Sequence, residues 1–522
     1  METLNRRNFL RMVAAGAAAM SMPTCKLKSK SELPNIIYIL ADDLGYGDVS
    51  SLNEKSKLHT GNIDRIARQG MKFTDAHSGS AVCTPTRYGI LTGRYSWRSR
   101  LKSGVLWGYS RNLIPPERMT VASLLKKHGY RTGCVGKWHL GMNWHFTDGH
   151  VAKDSPKEAG TNVDYSKPVK NGPNALGFDY SFCIPASLDM QPYVYVENGR
   201  VTALPDRVTE SKKSKSWWRR GPTGADFKHE QVLPRLTEKA LAFIEKNAAS
   251  RFFLYFPLSA PHTPILPTAE FQGKSNTNAY GDFVLQVDWT VGQILQALQQ
   301  HNIEKETLII FTSDNGCSPQ ANFKELKAVG HNPSYHFRGH KADIFEGGHR
   351  IPFIVRWPGK VTAGSECDET ICLTDLMATC AALVGERLPD NAGEDSVDML
   401  PALLGEEYKK PLREATVHHS VNGSFSIRKG KWKLEMCPGS GGWSYPRPGK
   451  DDMSGLPPYQ LYDLEKDIGE KNNVYGHHPK VEKELTALLA KYVKNGRSTP
   501  GAVQKNDGRQ FWPQLQWMKK IN

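Results

Sequence analysis

The chain is poor in cysteine. It has nine in 522 residues, and no two stand as C-x-x-C. That excludes a disulfide framework and a zinc ribbon as organising principles, although Cys367 and Cys372 stand close enough in sequence for a pairing to stay open. No apolar run approaches the roughly 20 residues of a bilayer-spanning helix, so the mature chain is expected to have no transmembrane segment. There is no internal repeat and no coiled-coil pattern. Acidic residues are in deficit, 53 Asp and Glu against 68 Lys and Arg, which leaves a formal charge of +15. The first 30 residues hold six of those bases and one acid, so the remaining +10 is spread along the chain and not gathered in one block. No nucleic-acid recognition motif accompanies this charge, so nucleic acid is not expected as a partner. A polyanionic substrate fits its sign.

What is present begins with Arg6-Arg7-Asn8-Phe9-Leu10 before a mildly apolar, Ala-rich stretch from Met12 to Met22. Twin arginine ahead of a weak apolar run reads as a Tat export signal. It predicts the Tat translocon as a partner and a periplasmic or secreted destination. Lipid anchoring at Cys25 is left open. Residues 1–30 are assigned to signal and linker, 31–405 to a large α/β domain, and 406–522 to a small C-terminal α+β unit with an antiparallel sheet. Apolar residues make up 39%, enough for a folded core in a chain of this length.

Asn35 to Ala41, Tyr130 to Val135, Phe252 to Leu258, Thr307 to Thr312 and Ile351 to Arg356 are apolar runs of strand length. Helical periodicity covers Asn62–Arg68, Val121–Lys127, Leu233–Lys246 and Tyr280–Gln299. Alternation at this spacing predicts a mostly parallel sheet with helices on both faces. Beyond residue 405, Ser424–Ile427 and Lys431–Met436 read as antiparallel strands around Lys429-Gly430, and Pro479 opens a helix reaching about Tyr492. Residues 141–230 read as irregular loop, including the basic aromatic stretch Lys212 to Arg220, K-K-S-K-S-W-W-R-R, a candidate lining for a polyanionic sugar.

The chemically capable residues fall where strands end. Asp42 and Asp43 follow the first run, Lys137 and His139 the second, His262 the third, and Asp314 with Asn315 the fourth. Ligands of open α/β sheets sit outside the carboxyl ends of strands, so four segments are expected to converge on one crevice. Asp42, Asp43, Asp314 and Asn315 form a hard oxygen set suited to Ca²⁺, and less to Mg²⁺, which demands stricter geometry.

Cys83 stands in Ser80-Ala81-Val82-Cys83-Thr84-Pro85-Thr86-Arg87, followed by Tyr88-Gly89-Ile90-Leu91-Thr92-Gly93-Arg94. This resembles the C-x-P-x-R signature, with its following T-G-R, of the type I, formylglycine-dependent sulfatases. Gly136-Lys137-Trp138-His139-Leu140-Gly141, Pro261-His262-Thr263-Pro264, Ser313-Asp314-Asn315-Gly316, Arg338-Gly339-His340-Lys341 and Tyr462-Asp463-Leu464 resemble further segments of that family, in its order. The resemblance implies an alkaline-phosphatase-like fold and conversion of Cys83 to 3-oxoalanine (formylglycine). The maturation partner would be a formylglycine-generating or anaerobic sulfatase-maturating enzyme. It further implies calcium held by Asp42, Asp43, Cys83, Asp314 and Asn315, and sulfate gripped by Lys137 and Lys341. Arg87 would stabilise the hydrated aldehyde, His139 would act as base, and His262 would serve the leaving oxygen with Lys341 nearby.

The segment from Ala81 to Leu106 is similar to the arylsulfatase A and N-acetylgalactosamine-6-sulfatase branch. This implies 6-O-sulfate on galactose-type units of a sulfated oligo- or polysaccharide. Asp179, Gln191, His331, His336, His418 and His419 are candidate sugar contacts. Selectivity is expected in the segments Arg94–Asn112, Met142–Arg220 and Pro319–Phe337. Two rival readings remain at this stage: a phosphodiesterase or phosphonate monoester hydrolase on the same scaffold, and a non-catalytic binder of sulfated glycans.

Overall fold

The interior strands are the continuous apolar runs, because a strand covered on both faces has no solvent side to make polar. The computed structural model describes residues 33–150, 154 and 162–520; the twin-arginine segment and Cys25 lie outside them. In chain order the elements used below are β1 (Asn35–Asp42), α1 (Gly61–Arg68), β2 (Met71–Phe73), α2 (Cys83–Thr92), α3 (Val121–Lys127), β3 (Arg131–Lys137), β4 (Tyr180–Ile184), β5 (Val196–Glu197), β6 (Arg200–Val201), β7 (Pro205–Ser211), β8 (Trp218–Gly224), α4 (Val232–Asn247), β9 (Phe252–Pro261), α5 (Ala279–Gln300), β10 (Thr307–Ser313), β11 (Phe353–Arg356), β12 (Ser365–Cys367), β13 (Thr416–His419), β14 (Phe425–Lys429), β15 (Trp432–Glu435), β16 (Gln460–Asp463) and α6 (Pro479–Lys494).

Ten strands form one mixed sheet in the order β12-β2-β11-β10-β1-β9-β3-β4-β5-β6. Its centre, β10-β1-β9-β3-β4, is parallel throughout. The antiparallel pairings lie toward the edges, where β11 runs against β10 and β2, and β5 and β6 turn back in sequence. One face packs its Ile37, Ile39, Phe252 and Leu254 against Leu236, Ala240, Val284 and Val287 of α4 and α5. The opposite pleat, with Tyr38, Leu40 and Tyr255, is buried too. This is the α/β architecture that the alternating pattern implied. Ile351 and Pro352 precede β11 and are not part of it, and β11 joins the sheet antiparallel.

The register delivers the site. Ala41 pairs with Ser313 and Asp42 with Pro261. The residues that follow each of these strands therefore emerge side by side. α2 was not anticipated, since Thr, Pro and Gly dilute its helical pattern, yet all ten of its residues are buried. It ends at Gly93, which has φ +64°; a Cβ there would lie 2.7 Å from the Met377 Cβ. Only glycine meets both conditions. The adjoining Arg94 is buried against Glu394 at 3.1 Å and Asp507 at 2.8 Å, so the T-G-R element fixes the end of the helix that carries position 83.

Residues 141–230, read from sequence as irregular, contain β4 to β8. β7 and β8 form an antiparallel hairpin of mostly exposed or half-buried, largely polar residues, so no apolar alternation announced it. Beyond residue 405, β13 to β16 form a four-stranded antiparallel sheet. Leu485, Leu488 and Leu489 of α6 pack into its core, which also takes Tyr95, Trp97 and Cys372. Cys367 and Cys372 are both free thiols. No described helix is long and apolar enough to cross a membrane.

Candidate active site

Parallel strands end with their side chains at one edge of the sheet, and here four of them supply charge. Asp42 closes β1 and Asp43 follows at φ +65°, a left-handed turn that lets two adjacent carboxylates serve one place. The Asp43 backbone N–H donates to Asp314 Oδ1 at 3.2 Å, and Leu44 N–H to Ser313 Oγ at 3.0 Å, tying the two acidic loops together. Asp42, Asp43, Asp314 and Asn315 are all at most 1% exposed. Ligand-type atoms of Asp42, Cys83 and Asp314 lie within 4.8 Å of one another, as do those of Asp42, Asp43 and His262.

Three cations answer the three carboxylates. Lys137 Nζ stands 2.6 Å from Asp42 Oδ2, Lys341 Nζ 2.7 Å from Asp43 Oδ2, and Arg87 reaches Asp314 Oδ2 through Nη2 at 2.7 Å and Nε at 3.0 Å. Arg87 Nη1 also donates to the Lys137 carbonyl at 2.8 Å, which joins α2 to the end of β3. Burial opposes ionisation of Asp42, but Lys137, His262 and Arg87 outweigh it and hold its carboxyl well below the usual range. Burial, reinforced by the Asp42 charge, pushes Asp314 up to about 6 despite the pull of Arg87. Burial likewise works against the Lys341 charge, but Asp43 beside it keeps the ammonium protonated far above the ordinary lysine range.

The crowding of like charge that raises Asp314 is what a divalent ion relieves. Asp42 Oδ1 and Asn315 Oδ1 are buried without a hydrogen-bond partner among the described residues. Hard oxygen donors left over in an acidic cluster fit a calcium-type ion. The Asn315 amide donates from Nδ2 to Asp43 Oδ1 at 2.7 Å, which orients it within the loop.

Cys83 is the first residue of α2 and 2% exposed. Burial pushes its thiol up, with Lys137 and Lys341 pulling the other way, so an unmodified side chain there stays protonated and is a weak nucleophile. Thr84, next to it, donates from Oγ1 to the His139 carbonyl at 3.0 Å and accepts from Leu106 N–H at 3.2 Å. His139 has φ +56° and points Nε2 at the Leu106 carbonyl, 2.8 Å away. Its Nδ1 is buried without a hydrogen-bond partner among the described residues, so a carbonyl fixes the tautomer and leaves one lone pair unused. His262 donates from Nδ1 to the Thr263 carbonyl at 2.5 Å and holds Nε2 3.7 Å from Asp43 Oδ2. Burial lowers both histidines; Lys137 and Arg87 add to this at His139, and Lys341 does so at His262. Both rings are therefore neutral at rest.

All of the core candidates thus meet in one place. The candidate sugar contacts do not. Asp179 precedes β4 and pairs with Lys126 at 2.7 Å and with Thr132, at the amino ends of the strands, across the sheet from the site. His331 is buried behind the first acidic loop, with Nε2 2.8 Å from Asp48 Oδ1 and Nδ1 accepting from Lys57 N–H. His418 belongs to a separate buried cluster with His77 and His349. His419 accepts Ala81 N–H at its carbonyl, but its ring turns to Ser96. His336 is exposed and lies against the Tyr335 ring. Gln191 is half-buried, with its side chain facing Gly221 of the β7–β8 hairpin.

Sequence reasoning gave no role to the groups that hold the loops. Asp48 accepts Gly45 N–H at 2.7 Å, the Tyr280 hydroxyl at 2.5 Å and His331. Asp343 accepts the backbone N–H groups of His340, Trp443 and Ser444. The partners of these carboxylates are as much as 283 residues distant in sequence, and no local pattern marks them.

Comparison with known proteins matches residues 34–386 to the family model described as Sulfatase. The N-acetylgalactosamine-6-O-sulfatase of Bacteroides thetaiotaomicron is 38% identical over 499 residues, covering 88% of this chain and 93% of that one. Human arylsulfatase A is 31% identical over 470 residues, covering 85% and 83%. A solved structure from work on glycosaminoglycan metabolism by Bacteroides thetaiotaomicron superposes with a TM-score of 0.76 at 35% identity, covering 88% of this chain and 99% of that one.

Proposed function

This chain belongs to the sulfatase family, and we propose that it is an exported enzyme that removes 6-O-sulfate from galactose or N-acetylgalactosamine units of sulfated glycans. It is a sulfuric ester hydrolase. The observation that carries the reading is the convergence of Cys83 with Asp42 and Asp314 in one buried cluster, faced by Lys137, Lys341 and Arg87. The sugar and the sulfate position rest on the 38% identical N-acetylgalactosamine-6-O-sulfatase. Export through the Tat translocon rests on Arg6-Arg7 and the apolar stretch after it.

Hydrolysis of R–O–SO₃⁻ by water yields ROH and hydrogen sulfate. It needs a nucleophile, charge to hold the sulfuryl oxygens, and a proton for the departing alcohol. Conversion of Cys83 to formylglycine by a maturation enzyme would supply a hydrated aldehyde, with one hydroxyl to attack sulfur and a second to expel the product. Calcium held by Asp42, Asp43, Asp314, Asn315 and the converted residue 83 would supply Lewis-acid stabilisation of developing negative charge.

The remaining work falls to this chain's own side chains. Lys137 and Lys341, both buried, offer ammonium donors to sulfate oxygens, and burial strengthens such contacts. Arg87 fixes α2 to Asp314 and steadies position 83. His139, its Nε2–H committed to Leu106, accepts a proton only at Nδ1, which suits a base. Neutral His262 has its proton on Nδ1, so it donates through Nε2 only after taking up another; Lys341 carries a proton at rest. The leaving oxygen is therefore served by these two groups together.

A desulfation screen over defined sulfated saccharides, read by mass and NMR, tests the reading on protein matured in a host able to form formylglycine. Release of 6-O-sulfate from galactose-type units is expected. Preferential turnover of phosphate diesters would sink the sulfatase assignment, and release of a different sulfate would replace the proposed substrate.

A further inference from the structure

The sulfate pocket accounts for one anion, and the hairpin β7–β8 is left without a role. It is pinned across the same edge of the sheet. The Lys215 carbonyl at its tip accepts Ile265 N–H at 2.9 Å, three residues beyond His262. Trp217 donates from Nε1 to Gln320 Oε1 at 3.3 Å, five residues beyond Asn315. Arg219 binds Asp189, in the loop that follows β4, through both its carbonyl and its carboxylate. The guanidinium of Arg219 also lies 4.9 Å from the Trp107 ring, and Trp107 adjoins Leu106, the residue that orients His139. One hairpin thus touches the loop of Leu106, which orients His139, and the loops leading from β4, His262 and Asn315.

Arg219 is built for planar recognition. Its Cζ lies 4.9 Å and 4.8 Å from the ring centroids of Trp107 and Trp217, cation–π contacts that, with Asp189, confine the guanidinium. Asp189, 6% exposed, engages only Nη1, while the Arg219 side chain is 40% exposed. Its Nε and Nη2 donors take no hydrogen-bond partner among the described residues. Lys212, Lys213 and Arg220 are exposed on the same hairpin. A pre-ordered, half-open guanidinium fork among further cations matches a carboxylate or a sulfate far better than a neutral hydroxyl.

We propose that Arg219, clamped by Trp107 and Trp217 and oriented by Asp189, is a second-anion subsite that binds an acidic group on a sugar unit adjoining the one being desulfated. This rests on the sulfatase reading and deepens it: the preferred substrate is an oligosaccharide with at least two negative groups, not a lone sulfated sugar.

Two substrates separate the roles: N-acetylgalactosamine 6-sulfate, with one anion, and a disaccharide in which the same sugar carries a neighbouring uronate. Arg219→Gln is expected to raise KM for the disaccharide about 10- to 100-fold, with kcat kept, while kcat/KM for the monosaccharide changes less than about threefold. Arg219→Lys keeps the charge but loses the guanidinium fork. It is expected to fall between wild type and Arg219→Gln, and it carries the test if the glutamine variant does not fold. Equal losses on both substrates would show a structural role and overturn the proposal, as would an unchanged KM for the disaccharide in both variants. Failure of the wild type to desulfate either sugar would instead strike the proposed function, so the two failures are distinct.

Discussion

Two buried clusters in this protein use the same residue types to opposite ends. At the strand ends, Asp42, Asp43 and Asp314 face Lys137, Lys341 and Arg87, with His139 and His262 beside them. At the seam between the large sheet and the C-terminal sheet, Asp75, Glu346 and Glu470 face Lys433, Arg350 and Arg428 around His77, His349 and His418. Composition alone would call both of them metal or catalytic sites. The geometry of the lone pairs separates them. In the seam, His77 gives Nε2 to Asp75 at 2.7 Å, and its Nδ1 meets His349 Nδ1 at 3.0 Å. The His349 and His418 rings stack at 3.8 Å and 9°, which sets their in-plane lone pairs side by side where a common ligand needs them convergent. Lys433 fills the centre, 2.7 Å from Glu470, 3.1 Å from Glu346 and 3.0 Å from the Ile344 carbonyl. In the seam every ring nitrogen of His77, His349 and His418 has a partner. The carboxylate oxygens Glu346 Oε1 and Glu435 Oε1, which make no hydrogen bond among the described residues, stand 3.1 and 3.3 Å from Lys433 Nζ, so the cluster locks two sheets together. At the strand ends Asn315 Oδ1 and His139 Nδ1 have no hydrogen-bond partner among the described residues, and Asp42 Oδ1 has only the Arg87 guanidinium 3.6 Å away; unspent ligand and base atoms are what chemistry requires.

The contrast is broken most sharply at position 83. Cys83→Ala should lower turnover by about 10⁴-fold or more while the melting temperature moves only a few degrees; comparable turnover by the variant would remove the nucleophile from the account. Metal analysis of the matured enzyme should give one tightly held divalent ion per chain. Stripping it should cost on the order of a hundredfold or more in rate; a second ion lost on His418→Asn would mean that the seam is a metal site after all. Lys433→Met acts the other way. It leaves buried carboxylates without their cation and should cost about 3–5 kcal/mol of stability, read by denaturant unfolding, with kcat of the remaining folded enzyme within about twofold of wild type.

The smallest effect is a pH dependence. Burial keeps His418 neutral in the folded protein, its pKa well below the ordinary value, whereas in the unfolded chain it titrates near about 6.5. Below that pH the unfolded chain takes up a proton that the seam refuses. The contribution of His418 to stability is therefore intact above about pH 6.5 and falls by up to about 1.4 kcal/mol per pH unit below it. His418→Asn should flatten the fall between pH 7 and 5, and an unchanged slope would show that other groups carry it.

The acidic loops, Lys137, His139 and His262 were legible because they end or follow runs of strand character, whereas Cys83, Arg87 and Lys341 were legible only through their motifs. Asn35–Asp42 and Thr307–Ser313 are almost wholly apolar until the acids appear, and parallel strands must end at a common edge. The rim was not legible. The β7–β8 hairpin is polar on both faces, so period-two patterning had nothing to register. The histidines chosen as sugar contacts were judged by residue type alone, and type does not distinguish His331, spent on Asp48, from His139, whose Nδ1 is unspent.

Sequence by itself settled the central strands β1, β3, β9 and β10 and the helices α1, α3, α4 and α5 between them, the acids and bases at the strand ends, and the signature around Cys83, because these depend on local pattern and spacing. Only the tertiary structure decided which buried cluster is closed and which is open, and which arginine waits at the rim. Those outcomes turn on partners as distant as Arg428 and Asp75, 353 residues apart, and on the direction of single lone pairs, neither of which a one-dimensional pattern encodes.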